Sequence, residues 1–360
     1  MLFYKWRRKI RRILKKKINY YSVLWKTSKI PDKNKILWID VSGVVLNRYL
    51  FCFLKFFELE GYTIYFPKKK ELINALCETG GEISWCLKDK FLKFSDEIPG
   101  NSGTLVINRS QLSNDYFSDI LNHNEIESRY YIPMCEYPTN YYSVNNEEID
   151  INLKRKQSIF MAGNMDPKYY SKISSKDIFN IISRREVVDH LYLNSNFLPI
   201  SSYNNLNQFI TSELDKKLIL IDTIKDFRIK NNLLKSILSK FDFFLALPGI
   251  EIPQSHNVIE AISMGCIPVI QKSYAELFSP PLENQVNAII FNNFTELDNV
   301  IEAIFNLNYS RILELRINVL NYNYNHLIPK AIVEKVKKND YEKIFIQAEI
   351  SSLKFLNRSA

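Results

Sequence analysis

Short apolar runs alternate with longer amphipathic ones along this chain, and no other feature narrows its possible folds as much. Ile36-Leu37-Trp38-Ile39-Asp40-Val41 reads as a buried strand, Ser42-Gly43 as the turn leaving it, and Asn47 to Glu60 as a helix stopped by Gly61. Tyr62-Thr63-Ile64-Tyr65-Phe66 is then a second strand. A β-α-β unit of this kind demands a parallel pair with a right-handed crossover. The pattern continues with a helix near 69–78, strands near 82–87 and 103–108, a helix near 111–122 and a strand near 128–133.

A second series follows a polar stretch, 134–155, that has Pro133 just before it and Pro138 near its start and reads as an interdomain linker. Ser158 to Gly163 is a strand running into a tight turn, with a helix around 175–190 behind it. Leu218-Ile219-Leu220-Ile221-Asp222 is a strand, 228–239 a helix, and Phe241 to Leu247 a strand ending in Pro248-Gly249. Ser255 to Met264 is a helix stopped by Gly265, Ile267 to Ile270 a strand, and 286–291 a last strand before helices at 295–307, 309–326 and 329–356. A chain of 360 residues exceeds what a single core usually supports. The expected fold class is therefore α/β, with two Rossmann-like doubly wound domains facing a central cleft. The expected boundaries are 1–30 for a basic helix and linker, 31–150 for the first domain, 151–328 for the second and 329–360 for a helical tail.

The net charge of +9 resides in one place: residues 1–17 hold nine Lys and Arg and no acid. Elsewhere Lys and Arg balance the 39 acids, so no basic groove for nucleic acid is implied. Leu2, Phe3, Trp6, Ile10, Ile13, Leu14 and Ile18 recur among those cations at helical spacing. Such a helix can lie in the headgroup plane of an anionic leaflet, and a solvated basic arm is the plainer alternative. No run is long and apolar enough to span a bilayer, and no apolar segment follows the charges as in a signal peptide. Five cysteines in mostly apolar surroundings, with no metal-like spacing, read as reduced core thiols of a cytosolic protein.

Parallel sheets bind ligands at the carboxyl ends of their strands. The best-equipped loop runs from Leu247 through Pro248-Gly249 into a helix with Ser255 as expected N-cap. Open amides at that helix start suit a diphosphate, His256 and Asn257 add donors, and Glu260 lies one turn in, where its carboxylate can accept both hydroxyls of a ribose. On the residues alone, a solvated Glu260 and a merely capping Ser255 fit equally well.

The run His256-Asn257-Val258-Ile259-Glu260-Ala261-Ile262-Ser263-Met264-Gly265-Cys266-Ile267-Pro268-Val269-Ile270 resembles the C-terminal motif of exostosin-like glycosyltransferases, which have the two-domain GT-B architecture. The preceding Phe243 to Gly249 resembles the strand that leads into their donor site, and Phe160-Met161-Ala162-Gly163-Asn164, with Arg184-Arg185 downstream, the opening of their donor domain. The resemblance covers about residues 155–295 and implies that Glu260 binds the nucleotide ribose and that Gly163 and Asn164 lie near phosphate or sugar. Arg228 would neutralise the diphosphate or lie on the surface, and Arg184 and Arg185 are expected to be solvated or paired with acids. Two departures stand out: family members often place an arginine where this chain has His256-Asn257, and retaining GT-B enzymes often carry a glutamate where this chain has Ile252.

The chain lacks a convincing Asp-x-Asp motif and its four histidines are scattered, so no metal and no cofactor is expected. Asp40, at the end of the first strand, is the candidate general base of an inverting transfer, or a structural carboxylate bonded to loop amides. The reading implied is transfer of a sugar from a nucleotide-sugar donor to a glycan or lipid-linked acceptor in bacterial surface polysaccharide synthesis. Residues 1–25 would hold the enzyme on the inner face of the cell membrane. An epimerase of the same architecture and a noncatalytic membrane-bound scaffold are the alternatives.

Overall fold

The computed structural model describes residues 20–100, 103–122, 128–142, 149–170, 176–338 and 340–356. The expected amphipathic helix at the N-terminus lies outside these, apart from a helical stretch at 20–28. The chain divides into two compact units, one reaching Ile132 and resuming at Pro329, the other running from Pro133 to Ile328.

In the first unit β1 (Lys35–Ile39), β2 (Tyr62–Pro67), β3 (Leu92–Ser95) and β4 (Thr104–Ile107) form a parallel sheet in the order β3-β2-β1-β4. The helix Arg48–Leu59 crosses from β1 to β2 and buries Phe51, Phe53, Phe56 and Phe57 completely. Its start is fixed by Asn47, whose side chain accepts the Tyr49 and Leu50 amides at 3.1 Å. The strand expected near 82–87 is instead a 3-10 turn, Glu82–Ser84, running into the helix Trp85–Lys88. The reason is spacing: Ile83 and Cys86, three apart, are the buried pair, a helical period rather than an alternating one.

Two very short strands, β5 (Leu112–Ser113) and β6 (Arg129–Tyr131), close the first part of this unit. The second unit carries a five-stranded parallel sheet of β7 (Lys156–Gly163), β8 (Leu218–Asp222), β9 (Phe241–Ala246), β10 (Ile267–Gln271) and β11 (Ile289–Phe291), in the order β11-β10-β9-β7-β8. After it the chain returns to the first unit. The described residues of 329–360 are not helical throughout: the helix Pro329–Lys338 is followed by β12 (Lys343–Phe345), which lies parallel between β5 and β6, and by the helix Ile350–Leu356. Both units are thus α/β folds of Rossmann type built on parallel sheets.

The second unit is tied beneath its sheet by a buried charge pair. Arg316, fully buried on the helix Tyr309–Tyr322, donates to Asp242 at the start of β9 and to the Ile151 and Leu153 carbonyls. Burial raises the Asp242 pKa against the opposing pull of Arg316. All five cysteines are free, and burial pushes the Cys266 thiol up to about 12, which keeps it inert. Gly265, between the helix His256–Ser263 and β10, has φ +74, and a Cβ there would meet Leu320 Cγ at 3.2 Å and Arg316 Cγ at 3.3 Å. Gly265→Ala should therefore cost about 2 kcal/mol of stability, from the backbone conformation and the crowding together, read as a lower urea midpoint at unchanged slope.

Candidate functional site

Within the second unit the sheet order runs 2-1-3-4-5 along the chain, so the connections leaving β7 and β9 part in opposite directions. The crevice at that reversal is where open parallel sheets receive ligands. Gly163 ends β7 and Asn164 follows it on one side, and Leu247-Pro248-Gly249 follow β9 on the other.

Arg184 joins the two sides. It is the first residue of the helix Arg184–Leu191, which is set by a capping box between Ser183 and Glu186. Its Nε donates to the Pro248 carbonyl at 3.0 Å and its Nη1 to the Asn164 carbonyl at 2.9 Å. The guanidinium lies 4.1 Å from the centre of the Tyr170 ring and is 3% exposed. Burial lowers its pKa from the usual arginine value, yet arginine remains a cation in any protein setting. No carboxylate partners it among the described residues, so the expectation of a solvated or acid-paired Arg184 is corrected. Arg185, next to it, does form the expected ion pair, with Asp189.

Two glycines here are dictated by close approach. A Cβ on Gly163 would lie 3.0 Å from Met161 Cε and 3.2 Å from Arg184 Nη1. One on Gly249 would lie 2.6 Å from the Ile252 carbonyl oxygen, backbone that cannot yield, because the Gly249 amide closes the loop onto the Pro253 carbonyl at 2.9 Å. That loop delivers Ser255 as N-cap of the helix His256–Ser263, but the Ser255 side chain makes no capping bond. Its amide donates instead to the Tyr274 hydroxyl at 2.8 Å. The amides of the first turn are left without a side-chain cap. Asn257 is engaged in the crevice wall, its Nδ2 donating to the Ala162 carbonyl at 3.1 Å.

Glu260, one turn further on, is 2% exposed, so it is not the solvated helix residue of the plain alternative. Its Oε1 accepts from the Tyr137 amide and from Asn140 Nδ2, each at 3.1 Å, and lies 3.3 Å from His256 Nδ1. Its Oε2 is buried with no hydrogen-bond partner among the described residues. Residues 136–140, expected to be linker, thus fold over the carboxylate, and Lys235 anchors them through an ion pair to Glu136 at 2.7 Å. The Tyr137 ring rests 5.5 Å from that of His256. Arg228 is exposed beyond the edge strand β8 and makes no hydrogen bond or ion pair among the described residues.

Asp40 belongs to the first unit, directly after β1, and is not a free carboxylate. Its Oδ2 accepts from Lys69 Nζ at 2.8 Å, and its Oδ1 accepts from the Ser42 amide at 3.0 Å and the Ser42 hydroxyl. Burial raises its pKa, but the bonds from Lys69 and Ser42 outweigh burial and hold it below 3.8. A carboxylate so stabilised is a weakened base.

Sequence reasoning singled out the loop and Glu260 but missed Arg184, Tyr137 and Asn140 as parts of one arrangement. For Arg184 a signal was present: Ser183-x-x-Glu186 is a capping box that fixes the arginine at a helix start. For Tyr137 and Asn140 there was none, because their partner lies more than a hundred residues away.

No protein-family profile matches this chain, and no curated protein sequence matches it. Among solved structures it is similar to Anabaena Alr3699/HepE in complex with UDP, at TM-score 0.39 and 11% identity over 84% of this chain and 99% of that one. The same Anabaena protein in complex with UDP-glucose gives TM-score 0.36 and 12% identity, over 84% and 98%. The N-terminal domain of Candida albicans trehalose-6-phosphate phosphatase gives 0.32 and 10%, over 89% of this chain and 75% of that one. These likenesses are remote, and the fold rests on the strand pairing described above.

Two outcomes follow from the geometry. Glu260→Ala, by stranding the Tyr137 amide and Asn140, should cost about 1–3 kcal/mol in thermal or urea unfolding, where an exposed helical glutamate would cost almost nothing. Asp40 has a folded pKa below its unfolded value, so its contribution is present above pH 3.8 and lost as the pH falls through the folded value. Asp40→Asn should accordingly be less stable than wild type at neutral pH, with the gap closing as the pH falls below 3.8 in an acid titration followed by circular dichroism.

Proposed function

We propose that this chain is a glycosyltransferase of the GT-B class, akin to the exostosin-like enzymes, and that it takes a nucleotide-sugar donor at the β7–β9 crevice of its second unit. The observation that carries the reading is the pairing of opposite needs across one helix turn. On one side stand Arg184, a buried cation without a carboxylate partner among the described residues, and the first-turn amides of the helix His256–Ser263, which have no side-chain cap. On the other stands a carboxylate oxygen, Glu260 Oε2, buried without a donor among the described residues. A nucleoside diphosphate answers both, its phosphates meeting the cation and amides and a ribose hydroxyl meeting the carboxylate.

In this reading the leaving diphosphate is stabilised by groups already in position, which is how a low-dielectric site lowers the barrier to departure of an anion. Gly163 and Gly249 keep the crevice floor free of side chains, so the donor can approach backbone on both sides. Asn257 holds the helix start against β7 and acts by position. Arg228 has no role in the proposal. Asp40, clamped by Lys69, serves the β1 loop rather than proton abstraction. The acceptor is a glycan or lipid-linked saccharide, and the basic segment 1–25 brings the enzyme to an anionic membrane surface where such acceptors are assembled.

The test is a panel of nucleotide sugars scored by thermal shift, since a ligand bound only by the folded state raises the melting temperature by mass action. One donor should raise it saturably, and Glu260→Gln, which keeps the shape but not the charge, should weaken that donor about 10–100-fold while leaving the fold intact. A panel in which no nucleotide sugar shifts the wild-type melt would reject the proposal.

A further inference from the structure

A second concave site lies in the first unit and shares no residue with the donor crevice. The helical stretch 20–28 ends at Lys29-Ile30, and this end faces the short segment 87–90 across a cavity of about 540 Å³. Four of the residues lining it are cations: Lys26, Lys29, Lys88 and Lys90. The rest of the lining is apolar, chiefly Trp25, Ile30 and Leu87, and no carboxylate contributes to it among the described residues. None of the four lysines has an ion-pair partner among the described residues.

The walls are held in place by other bonds. Lys93, a fifth cation just outside the cavity, donates to the Ile30 carbonyl and to Asp32, each at 2.9 Å, and so fixes the loop that carries the rim. The Ile30 amide turns back to the Thr27 carbonyl at 3.2 Å. Lys29 Nζ sits 3.3 Å from the centre of the Trp25 ring, and that indole is 61% exposed. Four like charges around one hollow repel each other, and an exposed indole leaves apolar area in water. An anion with an apolar continuation relieves both at once, and tryptophan favours the boundary between headgroup and acyl chain.

We infer that this cavity binds the phosphate headgroup of an anionic lipid, with Trp25 lying against the glycerol and upper acyl region. The site borders the N-terminal basic segment at Trp25 but is not that segment, because its four cations all lie beyond residue 25, and Lys88 and Lys90 some sixty residues further along the chain. It also stands whether or not the donor proposal does.

The experiment titrates the full chain with dihexanoylphosphatidylglycerol below its micelle concentration while tryptophan emission is followed. Dihexanoylphosphatidylcholine and inorganic phosphate are run as parallel titrants. The anionic lipid should give a saturable shift that disappears in Trp25→Phe and weakens about tenfold or more in the double variant Lys88→Glu/Lys90→Glu. Those lysines are exposed, and circular dichroism checks that the double variant is folded. Equal affinity for the zwitterionic lipid, equal affinity for inorganic phosphate, or unchanged binding by the double variant would overturn the inference.

Discussion

A guanidinium with no carboxylate beside it among the described residues holds the crevice of the second unit together. Removing a charge from water costs several kcal/mol unless its donors find partners. Arg184 meets that cost with two carbonyls, one from each side of the topological reversal, and with the face of Tyr170. Carbonyls satisfy the N–H groups but leave the net positive charge uncancelled. The loops after β7 and β9 are therefore fixed in place and bathed in a positive field by the same side chain. Rigid positioning of charge before a ligand arrives is what makes such a field effective.

The motif that draws attention in the sequence divides cleanly once its contacts are known. Its second half is architecture: Gly265 supplies a left-handed turn under the helix Tyr309–Tyr322, Cys266 is a buried thiol bonded to the Leu238 carbonyl, and Ile267 to Ile270 are the core of β10. Its first half carries the polar groups, yet Asn257 there is a brace between helix and strand. The first-turn amides have no side-chain cap, and Glu260 Oε2 is buried without a hydrogen-bond partner among the described residues. A motif can thus be specific as a pattern while most of its letters describe packing.

Much of the fold was legible because the central strands are apolar on both faces. β1, β2, β7, β8, β9 and β10 announce themselves as continuous hydrophobic runs, as strands of covered parallel sheets do. β3 was missed because Lys93 and Ser95 interrupt it, and the lysine is explained only by Asp32 and Ile30, sixty residues earlier. The order of strands, and hence the position of the crevice, is set by which edges pair, which a local pattern does not encode. Polar composition misled in the segment 134–142, where Asn and Tyr suggested a linker; the Asn140 side chain and the Tyr137 backbone amide instead serve a buried carboxylate. Glu260 itself was singled out for its place one turn into a helix, but its burial came from residues 136–140, far upstream.

The placement of β12 has a consequence for how the chain comes off the ribosome. The second unit is one continuous stretch, complete once residue 328 has emerged. The first unit begins synthesis earlier, yet its small sheet has β5 and β6 on the outside and the last-made strand between them. Until residues 343–345 arrive, two short strand edges wait without a neighbour, and the later unit can close before the earlier one is finished. Birth order and order of completion are reversed, so a polypeptide cut short near its end would carry one finished unit and one with a missing centre strand.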